Sequence, residues 1–174
     1  MARPGALPTG RERMFGENEI LVSKTDLKGR ITYANSAFLG VAGFSEEEVL
    51  GQPHSMIRHP DMPRAVFRLM WATIQARQEI FAYVKNLCSD GDHYWVFAHI
   101  TPSLDAAGVV TGYHSFRRWA RRDAIATISS LYSRMSAIEL AEGGKRDGMA
   151  ASGALLTEFL ERKGYSYDAF ILSL

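Results

Sequence analysis

Residues 25–35 read TDLKGRITYAN. Their turn-forming DLKG separates two runs of strand-forming residues, ILVS at 20–23 and ITYA at 31–34. Two such runs around a short polar turn with glycine predict an antiparallel β-hairpin. Asn35 or Ser36 can then cap a helix, because short polar side chains accept hydrogen bonds from the first free backbone N–H groups. The stretch therefore predicts a strand, a turn, a strand and the start of a helix.

Short helices are predicted after the hairpin. Gly43 ends the first, and Ser45 with Glu48 forms a capping box that begins a second. The polar segment GQPHSMIRHPDMP, residues 51–63, leads into a longer helix over 63–77. That helix has apolar residues at helical spacing, namely Phe67, Met70, Trp71 and Ile74.

Three further strands are predicted at 80–87, 93–104 and 109–118, joined by short turns that contain Gly91 and Gly108. Turns this short make neighbouring strands antiparallel, because parallel strands need long crossover connections. The sequence therefore predicts an α+β domain, with a five-stranded antiparallel sheet and short helices on one face.

The C-terminal part of the chain has a helical pattern. A helix over 123–141 has an apolar seam suited to a coiled coil or a docking surface, formed by Ile125, Ile128, Tyr132 and Met135. A glycine-rich break is expected at 143–148, a last helix ends at Gly164, and an apolar tail follows at 167–172. We expect three regions: a flexible leader (1–19), a sensor domain (20–120) and a C-terminal helical extension (121–174).

Composition narrows the possible functions. The 174 residues have a net charge of +1, which gives no electrostatic reason to expect nucleic acid as the partner. A basic cluster at 117–122 is expected to be the exposed start of a helix. The single cysteine, Cys88, excludes an intramolecular disulfide and a multi-cysteine zinc site. Without a long apolar run or signal peptide, we expect a cytoplasmic protein with no membrane insertion.

Several stretches resemble the PAS family, and in particular the FAD-binding PAS sensor domains of aerotaxis receptors. TDLKGRITYAN is typical of PAS domains in general, whereas RHPDMP at 58–63 together with GDHYWV at 91–96 is narrower. The resemblance runs from about residue 21 to 118 and implies non-covalent FAD and sensing of redox, oxygen or energy status. It places seven residues at flavin-pocket positions: Asn35, Arg58, His59, Asp61, Trp71, Asn86 and, more weakly, Trp95.

Each of these residues also has a simpler explanation. Arg58 lies before a helix N-terminus, where it can bind an FAD pyrophosphate or pair with Asp61 while Asp61 caps the helix. Trp71 can stack near a flavin or pack in the core. Asn86 needs a partner for its amide, which a flavin edge or a backbone group would provide, and Asn35 can be a helix cap alone.

The sequence also allows other cofactors and a function without any cofactor. Haem is the main alternative cofactor, although none of the five histidines has a spacing that favours it. Cys88 falls after the strand at 80–87, away from the helical segment that carries the reactive cysteine of light-sensing flavin PAS domains. No catalytic set of residues is visible, so we do not expect an enzyme. A cofactor-free interaction module is the alternative to a sensor, acting as a homodimer or docked on a chemoreceptor or kinase.

Overall fold

The computed structural model describes residues 6–141 and 146–174. Its strands are β1 (Leu21–Thr25), β2 (Ile31–Ala34), β3 (Ile80–Leu87), β4 (His93–Leu104) and β5 (Val110–Trp119). Its helices are α1 (Ser36–Ala42), α2 (Glu46–Val49), α3 (Arg64–Gln75), α4 (Arg122–Ala141), α5 (Arg146–Lys163) and α6 (Tyr167–Ser173), with a 3-10 turn at His54–Ile57. The strands form one antiparallel sheet in the order β2-β1-β5-β4-β3, which confirms the predicted fold class.

Most helix ends follow the capping residues predicted from the sequence. The side chain of Asn35 caps α1, Gly43 ends that helix in the left-handed conformation, and Ser45 forms the predicted capping box with Glu48. The expected cap of α3 is wrong. Pro63 occupies the N-cap position and has no side chain that can accept a hydrogen bond, while Asp61 pairs with Lys85 instead.

The cap of α3 comes from the C-terminal part of the chain. The Glu139 carboxylate in α4 accepts hydrogen bonds from the backbone N–H groups of Arg64 and Ala65, at 2.8 and 2.9 Å. These donors have no partner within a helix, and a negative charge is favourable there. Sequence spacing could not reveal this cap, because the two contacting segments lie about 75 residues apart.

The apolar seam predicted in α4 is buried within the chain. Ile128, Tyr132 and Met135 are each at most 3% exposed, and the Tyr132 hydroxyl donates to the Tyr83 carbonyl of β3 at 3.0 Å. The seam is therefore part of the protein's own core, with α4 packed against α5 and α3 and bound to the sheet through Tyr132, and these three side chains are not free for a partner. In the tail, α6 also packs against β3 and buries Phe170 and Ile171.

Residues 9–13 pack along the turn between β3 and β4. Thr9 donates from its backbone to the Gly91 carbonyl, and Arg13 donates to the His93 carbonyl. The side chain of Arg13 also contacts Asp90, which fastens this part of the chain to the turn. Residues 1–5 of the predicted leader, and 143–145 of the predicted break, lie outside the described residues. In residues 6–141 and 146–174, no helix combines the length and apolarity needed to cross a membrane.

Candidate functional site

A cavity of about 230 Å³ lies between the inner face of the sheet and the helical side of the domain. Its floor is formed by alternate residues of the strands, since every second side chain points to the same face. Its helical wall comes from the 3-10 turn, the following loop and α3. The sheet contributes Ser23, Thr25, Val84, Asn86, Ala98, Ile100, Tyr113, Ser115 and Arg117, and the helical side contributes His54, Ser55, Ile57, Arg58, Phe67, Met70, Trp71 and Ile74.

Three residues on the sheet side of this cavity each carry a buried polar atom that has no hydrogen-bond partner among the described residues. The atoms are Asn86 Nδ2, Ser115 Oγ and Arg117 Nη1, in residues that are 3%, 8% and 3% exposed. A buried polar group without a partner is costly and uncommon. Their grouping on the wall of one cavity is therefore characteristic of a site for a ligand with polar edges.

Arg117 is the central member of a small polar cluster. Its Nη2 donates to Ser23 Oγ at 2.8 Å and to His54 Nε2 at 2.5 Å, and its guanidinium lies over the Phe38 ring. Because arginine can only donate, His54 Nε2 must accept and the ring proton sits on Nδ1. Burial, followed by the charge of Arg117, lowers the pKa of His54 to about 3, so the imidazole is neutral at physiological pH.

The helical wall is aromatic and carries one further cation. The Arg58 guanidinium stacks 4.2 Å from the centre of the Phe67 ring and donates to the Met62 carbonyl. Trp71 meets Tyr113 edge to face, with ring centroids 5.4 Å apart. Gly29 allows this arrangement, because it has a φ of +75° and an added Cβ would lie 2.9 Å from the Trp71 ring.

The structure brings three of the seven sequence-predicted residues to this cavity: Arg58, Trp71 and Asn86. Arg58 does not pair with Asp61, so the alternative in which those two charges satisfy each other is wrong. Asn86 lies on the cavity face of β3 with Val84, as the alternation predicts. Its amide and the Tyr94 hydroxyl are close enough to interact, but neither makes a hydrogen bond of normal geometry within the described residues.

The other four predicted residues lie outside the cavity lining. Asn35 Oδ1 accepts hydrogen bonds from the backbone N–H groups of Phe38 and Val22, and its Nδ2 donates to the Ile20 carbonyl. His59, Asp61 and Trp95 do not line the cavity, and His59 and Asp61 belong to a cluster with Lys85 and His93. None of these four residues lines the cavity.

Much of the polar lining was not predicted from the sequence, including His54, Tyr113, Ser115 and Arg117. The basic cluster at 117–122 was expected to be exposed. Arg117 is instead buried, and it lies in β5, two residues before the end of the strand. One signal could have found it. Residues 113, 115 and 117 share a face of a central strand, and they alternate with His114, Phe116 and Arg118.

Cys88 is buried outside this lining, with its thiol 3.4 Å from the Val41 carbonyl. Burial raises its pKa to about 11, so the thiol stays protonated. A protonated, enclosed thiol is a poor nucleophile. Cys88 therefore has the inert surroundings that its position in the sequence predicts.

Comparison with known proteins agrees with this architecture. A family model described as the PAS fold matches residues 31–117. The chain belongs to the PAS family. This PAS chain is 40% identical over 129 residues to the aerotaxis receptor of Escherichia coli K12, a match that covers 74% of the chain and 25% of the receptor. It is also 32% identical over 105 residues to a nitrogen fixation regulatory protein of Klebsiella pneumoniae, covering 60% of the chain and 21% of that protein.

Solved PAS-type structures share the fold. A light-oxygen-voltage domain studied with a flavin analogue superimposes with a TM-score of 0.56 and 20% identity, over 64% of this chain and 83% of that domain. The chain spans only about a quarter and a fifth of the two curated relatives. What these comparisons share with the chain is thus the sensor region.

Proposed function

We propose that this PAS domain is a sensor that binds FAD non-covalently in the cavity and signals redox, oxygen or energy status. The observation that carries the proposal is the group of unpartnered polar atoms on Asn86, Ser115 and Arg117 within an otherwise largely apolar cavity. A flavin ring has apolar faces and an edge with both donors and acceptors, which suits that lining. The similarity to aerotaxis receptors and to a light-oxygen-voltage domain supports the same ligand class.

The size of the cavity favours enclosure of the ring system alone. Sites for drug-sized ligands range over about 300–1,000 Å³, and this cavity holds about 230 Å³. The exposed residues Lys28, Pro53 and Ser55 lie at its edge. A second hollow of about 370 Å³ shares Ser55 and Arg58 with it and also includes Arg64. The diphosphate and adenosine of FAD would occupy that hollow, and this is the reason for preferring FAD over FMN.

A route from the cavity to the C-terminal helices follows from the contacts of β3. Asn86 lines the cavity in this strand, and the Tyr83 carbonyl in the same strand accepts from Tyr132 of α4. A change in hydrogen bonding at the ligand would shift β3 and so favour one position of α4 over another. In this proposal the protein tunes a bound cofactor and catalyses no turnover. The partner that receives the signal would be a second copy, a chemoreceptor or a kinase.

One visible absorption spectrum of the purified protein, before and after reconstitution with FAD, tests the ligand. We expect a flavin spectrum in the wild type and reduced uptake in Asn86→Leu, because leucine has similar volume but offers no amide to the ring edge. Asn18→Leu is the matched control, since Asn18 is exposed and far from the cavity lining. A Soret band would indicate haem instead, and a protein that takes up no flavin would refute the proposal.

A further inference from the structure

Arg117 is a buried cation without an acidic partner in the part of the chain that the structure describes. It is 3% exposed, and its two side-chain acceptors, Ser23 and His54, are both neutral. Burial lowers the pKa of Arg117 to about 10, so the guanidinium remains charged at neutral pH. Among the described residues, the ionisable group that favours its charged form is Tyr94, whose phenol is itself buried and has a raised pKa. The charge of Arg117 is therefore uncompensated.

Such an arrangement is unfavourable for the empty protein. A buried charge is normally paired, and a lone one costs far more than a buried neutral group. Arg117 lines the cavity; its Nη2 is satisfied, whereas its Nη1 has no partner among the described residues. The unpartnered donor and the unpaired positive charge thus belong to the same side chain. Because Arg117 lines the cavity, a ligand bound there can supply a hydrogen-bond acceptor for it.

We infer that Arg117 is the specificity-determining residue of the cavity: through Nη1 it donates to the acceptor-bearing, electron-rich edge of a heteroaromatic ring, whose partial negative charge offsets the unpaired cation. This inference rests on the proposed flavin ligand. Ser115 lies two residues earlier on the same face of β5, and its unpartnered Oγ can bind the same edge. Ser23 and His54 act as positioning residues, because they hold Nη2 and so aim the guanidinium fork.

The inference predicts opposite effects on ligand affinity and on the stability of the empty protein. Replacing Arg117 by methionine removes the uncompensated charge but keeps an unbranched side chain of comparable length. The ligand-free Arg117→Met protein should therefore unfold at a higher temperature than the wild type. Its affinity should fall, because the ring edge loses a charged donor that is worth roughly a 10- to 100-fold change in binding. A residue with only a structural role would lower the unfolding temperature instead.

The experiment measures the Kd of riboflavin and FAD by fluorescence, together with the thermal midpoint of the ligand-free protein. Arg117→Lys keeps the charge but not the fork, so its affinity should be intermediate and its midpoint should lie below that of Arg117→Met. Arg118→Met is the matched control, because Arg118 is the next residue of β5 and is exposed. It should leave the Kd within about twofold of the wild type, since a surface change away from the site has little effect.

The outcomes separate the inference from the proposed function. A wild type that binds neither riboflavin nor FAD overturns both the proposed function and the inference that Arg117 binds the edge of the ring. If the wild type binds but Arg117→Met binds equally well, the flavin proposal stands and the role of Arg117 is refuted. An Arg117→Met protein that fails to fold, or unfolds at a lower temperature, also overturns the inference, because it requires this variant to be more stable when empty.

Discussion

His59 is a buried histidine whose pKa links protonation to stability. It is 2% exposed, and burial, with a smaller effect of the Lys85 charge, lowers its pKa to about 4. Asp61 opposes the shift, and His93 adds to it. Sequence resemblance placed His59 in the flavin pocket, but its ring lies in this separate cluster. The sequence motif identified the loop that carries His59. It could not show where the His59 side chain lies, because that depends on how this loop pairs with β3.

We predict that His59 makes the protein less stable in mild acid. An unfolded histidine has a pKa of about 6.5, so between pH 6.5 and 4 the unfolded chain binds the proton more readily than the folded one. The contribution of His59 is complete above pH 6.5 and is lost as the pH falls towards 4. Its share of the free energy of unfolding should be about 1–2 kcal/mol smaller at pH 5 than at pH 7.

Urea unfolding at several pH values measures this slope. His59→Gln should flatten it, because glutamine keeps an acceptor for the Asp61 backbone N–H but has no titrating ring. His99→Gln is the control, since His99 lies near the protein surface beside Glu79. An unchanged slope in His59→Gln would show that other groups cause the acid sensitivity.

At the scale of elements, α4 is both the predicted output helix and a support for the segments that line the cavity. Its Glu139 caps α3, Ser136 donates to the Asp61 carbonyl, and Tyr132 binds β3. The apolar periodicity correctly predicted that α4 docks on a surface, but not which surface. These polar contacts lie on the side of α4 that faces α3 and β3, and they tie the helix to both walls of the cavity.

We predict that Glu139→Ala loosens the start of α3. Two backbone N–H groups would lose their acceptor, and the expected loss is about 1–3 kcal/mol in the free energy of unfolding. Hydrogen exchange should increase most at the amides of Arg64 and Ala65. Glu139→Gln should have a smaller effect, because the amide oxygen can still accept one bond.

The control for this change is Glu158→Ala on α5, whose carboxylate is exposed and forms only a long pair with Arg162. That variant should change the free energy of unfolding by less than about 0.5 kcal/mol. Unaltered exchange at residues 64 and 65 in Glu139→Ala would mean that the cap contributes nothing in solution.

At the scale of the whole molecule, the C-terminal helices pack on the sheet. We still propose the division into a leader, a PAS domain at 20–120 and an extension at 121–174, as sequence regions. The buried residues of α4 and α6, however, belong to the same continuous core as those of the sheet. Ile128 of α4 is 1% exposed, so a charged substitution there would disrupt this core.

We predict that the whole chain unfolds in a single thermal transition and that a variant ending at residue 120 is much less stable. Removing the extension uncovers the side of β3 that α6 covers, removes the Tyr132 hydrogen bond to β3, and takes the cap from the N-terminus of α3. A loss of about 3 kcal/mol would lower the midpoint by roughly 6–12 °C. Two separate transitions in differential scanning calorimetry, or an unchanged midpoint in the truncated variant, would contradict this.

The sequence by itself determined the element order, the antiparallel sheet, the caps of α1 and α2 and the resemblance to PAS sensors. These depend on local patterns: alternation in strands, helical periodicity, and capping residues that act within three or four positions. The tertiary structure alone decided that Arg117 is buried without an acidic partner among the described residues, that Glu139 caps α3, and that His59 does not line the cavity. The physical reason is that burial and hydrogen-bond partners depend on segments far apart in the chain, which spacing along the sequence does not encode.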